Sequence, residues 1–281
     1  MNLHCFGNTR RDVPVIGQGT WYQEGDDPAT ALAALRRGLS LGMTHIDTAE
    51  MYGSGAAEGI VGQAIAGRRD DLFLVSKVLP QHASRDGTVA ACEASLARLG
   101  TDRLDCYLLH WRGDYPLEDT VAAFEQLLDE GKILSWGVSN FDVPDLEEVR
   151  DIGGQGGPVC NQVLYHLRER AVEHAVLPWC EKDGLALVGY SPFGHGDFPG
   201  PDTAGGRVLG RIAHAHHSNP HQVALRFLVR RPELFTIPKA SSLEHAAENA
   251  RAGGLRLTEG EIEEIDQAFP LGRRPRVLPT L

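Results

Sequence analysis

Long apolar runs are missing from this sequence. No stretch approaches the roughly 18 apolar residues of a membrane-spanning helix. Met1 to Asn8 carry no apolar core of a signal peptide. Cysteine is scarce, with five residues at positions 5, 92, 106, 160 and 180 and no Cys-x-x-Cys pair. An odd number in a chain of 281 residues argues against a disulfide scaffold. Reduced thiols and a cytoplasmic setting are expected. Positive charge is in deficit, with 27 Lys and Arg against 38 Asp and Glu and a formal net charge of −11. That balance disfavours nucleic acid and anionic membranes as partners, while leaving room for a local basic pocket. No Gly-x-Gly-x-x-Gly opens a helix after a strand. Gly153-Gly154-Gln155-Gly156-Gly157 precedes a strand pattern instead, so a Rossmann dinucleotide site is unsupported. His214, His216, His217 and His221 cluster, but Pro220 breaks any one-face spacing and no acidic residue is interleaved. A solvated helix end is expected there, and no metal.

What is present is an alternation. Strand patterns at 44–46, 72–78, 104–109, 133–138, 159–163, 185–188 and 235–237 alternate with helical ones. The helices are expected over 29–41, 56–66, 88–99, 120–130, about 146–149, 171–182, 207–215, 220–230 and 243–251. Glycines such as Gly42, Gly67, Gly100, Gly131 and Gly184 mark helix ends. With Gly19-Thr20 closing a first strand, eight such units imply a parallel sheet covered by helices. Residues 3–16 read as a β-hairpin around Gly7-Asn8. Thr258-Glu259-Gly260-Glu261 is a capping box that opens one more helix. Residues 269–281 read as irregular. The expected fold is α/β, a (β/α)8 TIM barrel with an N-terminal β-hairpin cap and extra C-terminal helices. No composition break divides it, so residues 1–281 are expected to form one domain.

Three strand patterns end in titratable residues. Asp47 ends the first, Lys77 ends 72–77, and His110 ends 104–110. Tyr52 lies five residues past Asp47, on a loop that ends in glycines. Alone, each has an ordinary structural reading: a packed loop tyrosine, a solvated lysine, a rim histidine. Together they fall where parallel barrels carry chemistry, at C-terminal strand ends. A tyrosine pKa is ordinarily about 10. A nearby cation would lower it and make the phenol a usable acid.

Asp47, Tyr52, Lys77 and His110, in this order and spacing, resemble the catalytic tetrad of the aldo-keto reductases. Gly17-Gln18-Gly19-Thr20-Trp21, Gly137-Val138-Ser139-Asn140-Phe141, Asn161-Gln162, Tyr190-Ser191-Pro192 and Ile237-Pro238-Lys239 follow in family order. The resemblance covers nearly the whole chain. It implies that the hairpin closes the barrel bottom and that aldehydes and ketones are reduced with NADPH. In the implied roles Tyr52 is the general acid, with its pKa lowered by Lys77. Asp47 orients Lys77, and His110 orients the carbonyl.

The resemblance also implies a cofactor cradle. Gly19, Thr20 and Asp47 lie along it, Ser139, Asn140 and Gln162 hold the carboxamide, and Tyr190 stacks on the nicotinamide. Ser191, Pro192, Phe193 and Gly194 continue it. Lys239, with Ala240, Ser241 and Ser242, faces the adenosine 2′-phosphate, and His245, Glu248 and Asn249 lie toward the adenine. His245 stands where the family has an arginine. It supplies neither a permanent charge nor a guanidinium plane, so NADH is an expected second cofactor. Trp21, His110 and Trp111 are expected to bind substrate, with Tyr22, Phe141 and Phe193 also lining the pocket. Short loops suggest an open site for small carbonyls and α-dicarbonyls. A monomer is expected. The competing expectation is a non-catalytic, cofactor-sensing protein on the same barrel.

Overall fold

The chain opens with the hairpin. Leu3–Cys5 (β1) pairs antiparallel with Asp12–Pro14 (β2). Its turn carries Gly7 at φ +51°, where a Cβ would lie 2.1 Å from the Val159 carbonyl oxygen. Only glycine lets the hairpin approach the barrel floor this closely. The computed structural model describes residues 1–281, with every side chain except those of Glu24 and Gln155.

Eight parallel strands follow. They are Gln18–Gly19 (β3), His45–Asp47 (β4), Phe73–Val78 (β5), Cys106–Leu109 (β6), Trp136–Ser139 (β7), Cys160–Leu164 (β8), Ala186–Tyr190 (β9) and Leu234–Thr236 (β10). They pair in chain order. The sheet closes because Gly17 N–H donates to the Thr236 carbonyl at 2.8 Å and Thr236 N–H donates to the Val15 carbonyl at 2.9 Å. At the rim, a Cβ on Gly19 would lie 2.5 Å from the Ile237 carbonyl oxygen.

Helices separate the strands: Pro28–Ser40 (α1), Ala56–Ile65 (α2), Arg85–Leu99 (α3), Leu117–Asp129 (α4), Val143–Gly153 (α5), Val176–Asp183 (α6), Pro220–Leu228 (α8) and Leu243–Ala252 (α9). Ala204–Ala215 (α7) and Glu259–Ala268 (α10) are additions that pack on each other. Among the described residues, no helix is long and apolar enough to cross a membrane.

Strand alternation sorts the side chains. On β5, Leu74 and Val78 pack in the layer between barrel and helices. Phe73 and Val75 point into the barrel, where Phe6 of the hairpin turn meets Phe73 at 4.6 Å and Phe235 at 4.9 Å. Lys77 continues the inward face. On β4 and β8 the same period carries His45 to Asp47 and Cys160 to Gln162. An apolar floor is therefore topped by a polar layer.

The expected helix over 171–182 is interrupted. Ala171–His174 forms a 3-10 turn and α6 restarts at Val176. Pro178 explains the break, since it has no N–H to donate back to His174 and is tolerated only in a first turn. The strand expected over 104–109 pairs regularly only from Cys106, with Leu104 and Ile133 forming an isolated bridge. The capping box expected at Thr258-Glu261 is formed, and a second one at Asn219-Gln222 opens α8.

His45 lies in the apolar floor, edge-on to Phe6, Phe73 and Phe235. Burial pushes its imidazole down to about 3. The unfolded chain takes up this proton below about pH 6.5 and the folded chain does not, so folding stability falls as pH drops through that window. The loss of unfolding free energy between pH 7 and pH 5 should be about 2 kcal/mol smaller in His45→Gln than in the parent. Equal losses in denaturant titrations would show that His45 is not held neutral.

Candidate active site

Lys77 is the hub of the polar layer and has no exposed surface. Its Nζ donates to Asp47 Oδ1 at 2.6 Å, to the Thr48 carbonyl at 2.9 Å and to Tyr52 Oη at 3.1 Å. An ammonium has three hydrogens, and all three are used. Burial opposes its charge, but Asp47 and Tyr52 outweigh that effect and hold Lys77 above its ordinary pKa. Burial also pushes the Asp47 carboxyl up, against the pull of Lys77 and of Gln162. Gln162 Nε2 donates to Asp47 Oδ2 at 2.7 Å, so both carboxylate oxygens accept. Tyr52 Oη accepts from Lys77.

His110 closes the group from β6. Its ring meets Tyr52 edge-on at 5.8 Å. Burial, with the Lys77 charge nearby, pushes its imidazole down to about 2, so it is neutral at any working pH. A neutral imidazole can still donate a hydrogen bond to an oxygen.

A second chain of polar contacts crosses the neighbouring strands. Ser139 Oγ donates to the Gln162 carbonyl at 2.8 Å, Asn140 Nδ2 to the His110 carbonyl at 3.2 Å, and Tyr190 Oη to Asn140 Oδ1 at 3.0 Å. Asn140 and Ser191 leave β7 and β9 in left-handed turns, at φ +62° and +51°. Burial pushes the Tyr190 phenol up to about 12. The two tyrosines therefore differ in kind: Tyr190 is a neutral wall and Tyr52 is tied to a cation.

These residues surround a cavity of about 250 Å³. Of the residues expected to line a site, Gly19, Thr20, Trp21, Tyr22, Asp47, Tyr52, His110, Trp111, Ser139, Asn140 and Gln162 border it. So do Tyr190, Ser191, Pro192, Phe193 and Lys239. Lys77 lies behind this wall. Gly194, Ala240, Ser241, Ser242, His245, Glu248 and Asn249 do not border the cavity. The last six continue from Lys239 into α9, which Ser242 caps by accepting from His245 N–H at 3.1 Å. Burial holds the His221 imidazole below its ordinary pKa, and its ring meets that of Phe193 at 4.9 Å.

Phe141 differs from expectation. The left-handed turn at Asn140 sends it into the core, fully buried, with its backbone held by the Asn161 side chain. Met51, His195, Gly196, Ile237 and Leu281 also border the cavity and were not expected. His195 stacks on Trp21 at 5.3 Å. Its setting in Gly194-His195-Gly196 is the one signal that marked the loop. Nothing in the sequence marked Leu281. Thirteen residues beyond α10 can span roughly 43 Å when extended, enough to return over the barrel mouth. There the Leu281 N–H meets Tyr190 Oη at 3.4 Å.

The donor set fits a dinucleotide. The Asn249 amide nitrogen is buried with no hydrogen-bond partner among the described residues. Lys239 Nζ donates to the Tyr22 carbonyl and pairs with Asp26, both at 2.9 Å. Among the described residues, no group of three His, Cys, Asp or Glu is placed to hold a metal.

A buried lysine joined to a carboxylate and a phenol at the open end of a closed parallel barrel narrows the class of protein, and similarity to known proteins names it. The model of the aldo/keto reductase family matches residues 15–269. The methylglyoxal reductase YeaE of Escherichia coli (strain K12) is 44% identical over 261 residues, 92% of each chain. The glyoxal reductase of Bacillus subtilis (strain 168) is 33% identical, over 91% of this chain and 88% of that one. An aldo/keto reductase of Klebsiella pneumoniae, solved in complex with NADP and acetate, superposes over 100% of both chains with a TM-score of 0.94 and 41% identity. This chain belongs to the aldo/keto reductase family.

Removing one partner of a buried pair strands the other charge. Asp47→Asn should therefore lower unfolding free energy by about 3–5 kcal/mol. Chemical denaturation at neutral pH measures it. A loss below about 1 kcal/mol, the range of an exposed pair, would mean that Lys77 carries no charge in the fold.

Proposed function

We propose that this protein reduces small aldehydes, ketones and α-dicarbonyls to alcohols, with NADPH as hydride source and Tyr52 as general acid. The single observation that carries the reading is the buried Lys77 ammonium, which donates to Asp47 and to Tyr52 Oη beside the cavity. When bound, NADPH supplies the hydride. The chain supplies position and a proton. Neutral His110 donates to the carbonyl oxygen and holds it near Tyr52. Tyr52 then gives its proton to that oxygen, and the phenolate left behind is stabilised by Lys77. Asp47 and Gln162 keep Lys77 charged and oriented. Trp21 and Trp111 shield the reacting carbon from water.

Several features support the finer parts of the reading. The relatives named for methylglyoxal and glyoxal reduction, and the compact aromatic cavity, favour small α-dicarbonyls. The Klebsiella pneumoniae complex with NADP favours the phosphorylated cofactor, with Tyr190 against the nicotinamide and Ser139, Asn140 and Gln162 at its carboxamide. Lys239 and Ser241 would take the 2′-phosphate. His245, exposed in the first turn of α9, leaves that phosphate without an arginine, so NADH also serves.

Tyr52→Phe removes only the proton donor and keeps the ring. It should cut turnover of methylglyoxal at least about a hundredfold, while fluorescence titration still detects NADPH binding. Activity above a tenth of the parent would take the acid role from Tyr52.

His245→Arg adds a permanent charge toward the 2′-phosphate. NADPH binding should tighten about tenfold, with NADH much less affected. Equal tightening of both would assign the gain to adenine stacking. No change in NADPH would place His245 away from the phosphate.

A further inference from the structure

Glu58 lies in α2 with none of its surface exposed, on the outer side of the barrel wall. α2 begins directly after the Tyr52–Gly55 loop, and Ser76 directly precedes Lys77 on β5. Strand alternation turns Lys77 inward and Ser76 outward toward α2. Ser76 Oγ donates to Glu58 Oε1 at 2.6 Å. Arg98 of α3 donates from Nε to Glu58 Oε2 at 2.5 Å and from Nη2 to Ser95 Oγ at 3.1 Å. One buried carboxylate thus joins the strand of Lys77, the helix that follows Tyr52, and α3.

The Tyr52 loop needs such an anchor. Gly53, Ser54 and Gly55 are all left-handed, at φ 56°, 53° and 90°, and α2 starts without a side-chain cap. Arg98 lies against Gly55, where a Cβ would come within 2.5 Å of its Cδ. Only Gly53, Ser54 and Gly55 separate Tyr52 from the start of α2, so the docking of α2 bears on where Tyr52 sits. We propose that Glu58 is a positioning residue, which by joining Ser76 to Arg98 fixes the 3.1 Å bond between Lys77 and Tyr52. The proposal rests on the reading of Tyr52 as the acid. Its physical basis is that Coulomb attraction falls with distance and that a hydrogen bond weakens steeply with angle.

Ser76→Ala breaks the brace with little change of volume. Ser76→Thr restores a hydroxyl on a residue suited to a strand. The phenol of Tyr52 is titrated by NMR with ring-labelled tyrosine in the ligand-free protein, using Tyr52→Phe to assign the signal. The pH profile of kcat/KM for methylglyoxal is recorded alongside. Ser76→Ala should raise the Tyr52 pKa by about one unit and lower kcat/KM about tenfold, through kcat rather than KM. Ser76→Thr should return both toward the parent. Arg98→Met, which frees the other carboxylate oxygen, should shift the phenol in the same direction. An unmoved phenol in Ser76→Ala, or no recovery in Ser76→Thr, overturns the proposal. If the phenol moves but Tyr52→Phe stays active, the brace stands and the acid role falls. If Tyr52→Phe is inactive and the phenol does not move, the acid role stands and the brace falls.

Discussion

A lysine ammonium with no exposed surface must find protein partners for all the water it has lost. Lys77 finds three, and the rest of the site follows from them. Desolvating an ammonium costs several kcal/mol, which only close and well-aimed oxygens offset. Asp47 provides the countercharge, and its second oxygen is taken by Gln162 from across the barrel. The third hydrogen falls to Tyr52. A cation beside a phenol favours its ionised form, and that is the basis on which Tyr52 is proposed as the acid.

The barrel makes this arrangement repeatable. Closure through Val15, Gly17 and Thr236 fixes the strands, and their two-residue period decides which side chains enter the lumen. The same inward face that carries Phe73 and Val75 in the floor carries Lys77 at the top. Apolar residues below keep water from reaching the pair, and the open upper end admits small molecules. Stability and chemistry thus draw on one alternation. His45 and His110, both buried and held neutral, are two further results of the same dry interior.

Much of this was legible in the chain. Asp47, Lys77 and His110 end apolar runs, and a strand end in a parallel barrel is where such residues meet. The alternation of strand and helix patterns indicated the barrel. What stayed hidden depends on turns and on distance along the chain. Phe141 adjoins the cavity residue Asn140, yet one left-handed residue sends it into the core. Pro178 splits a helical pattern that periodicity alone reads as continuous. Leu281 reaches the cavity from the far end of the chain, and no local pattern encodes that return. Glu58 falls in no motif of the sequence. Its burial follows from where α2 docks, which periodicity does not specify.

The proposed acidity of Tyr52 depends on the charge of Lys77. The most direct test is the pH profile of carbonyl reduction in Lys77→Met against the parent, measured on methylglyoxal with saturating NADPH. The variant should lose most of its activity near neutral pH, and the titration assigned to Tyr52 should move toward the ordinary phenol value of about 10. A variant profile that superimposes on that of the parent would contradict it.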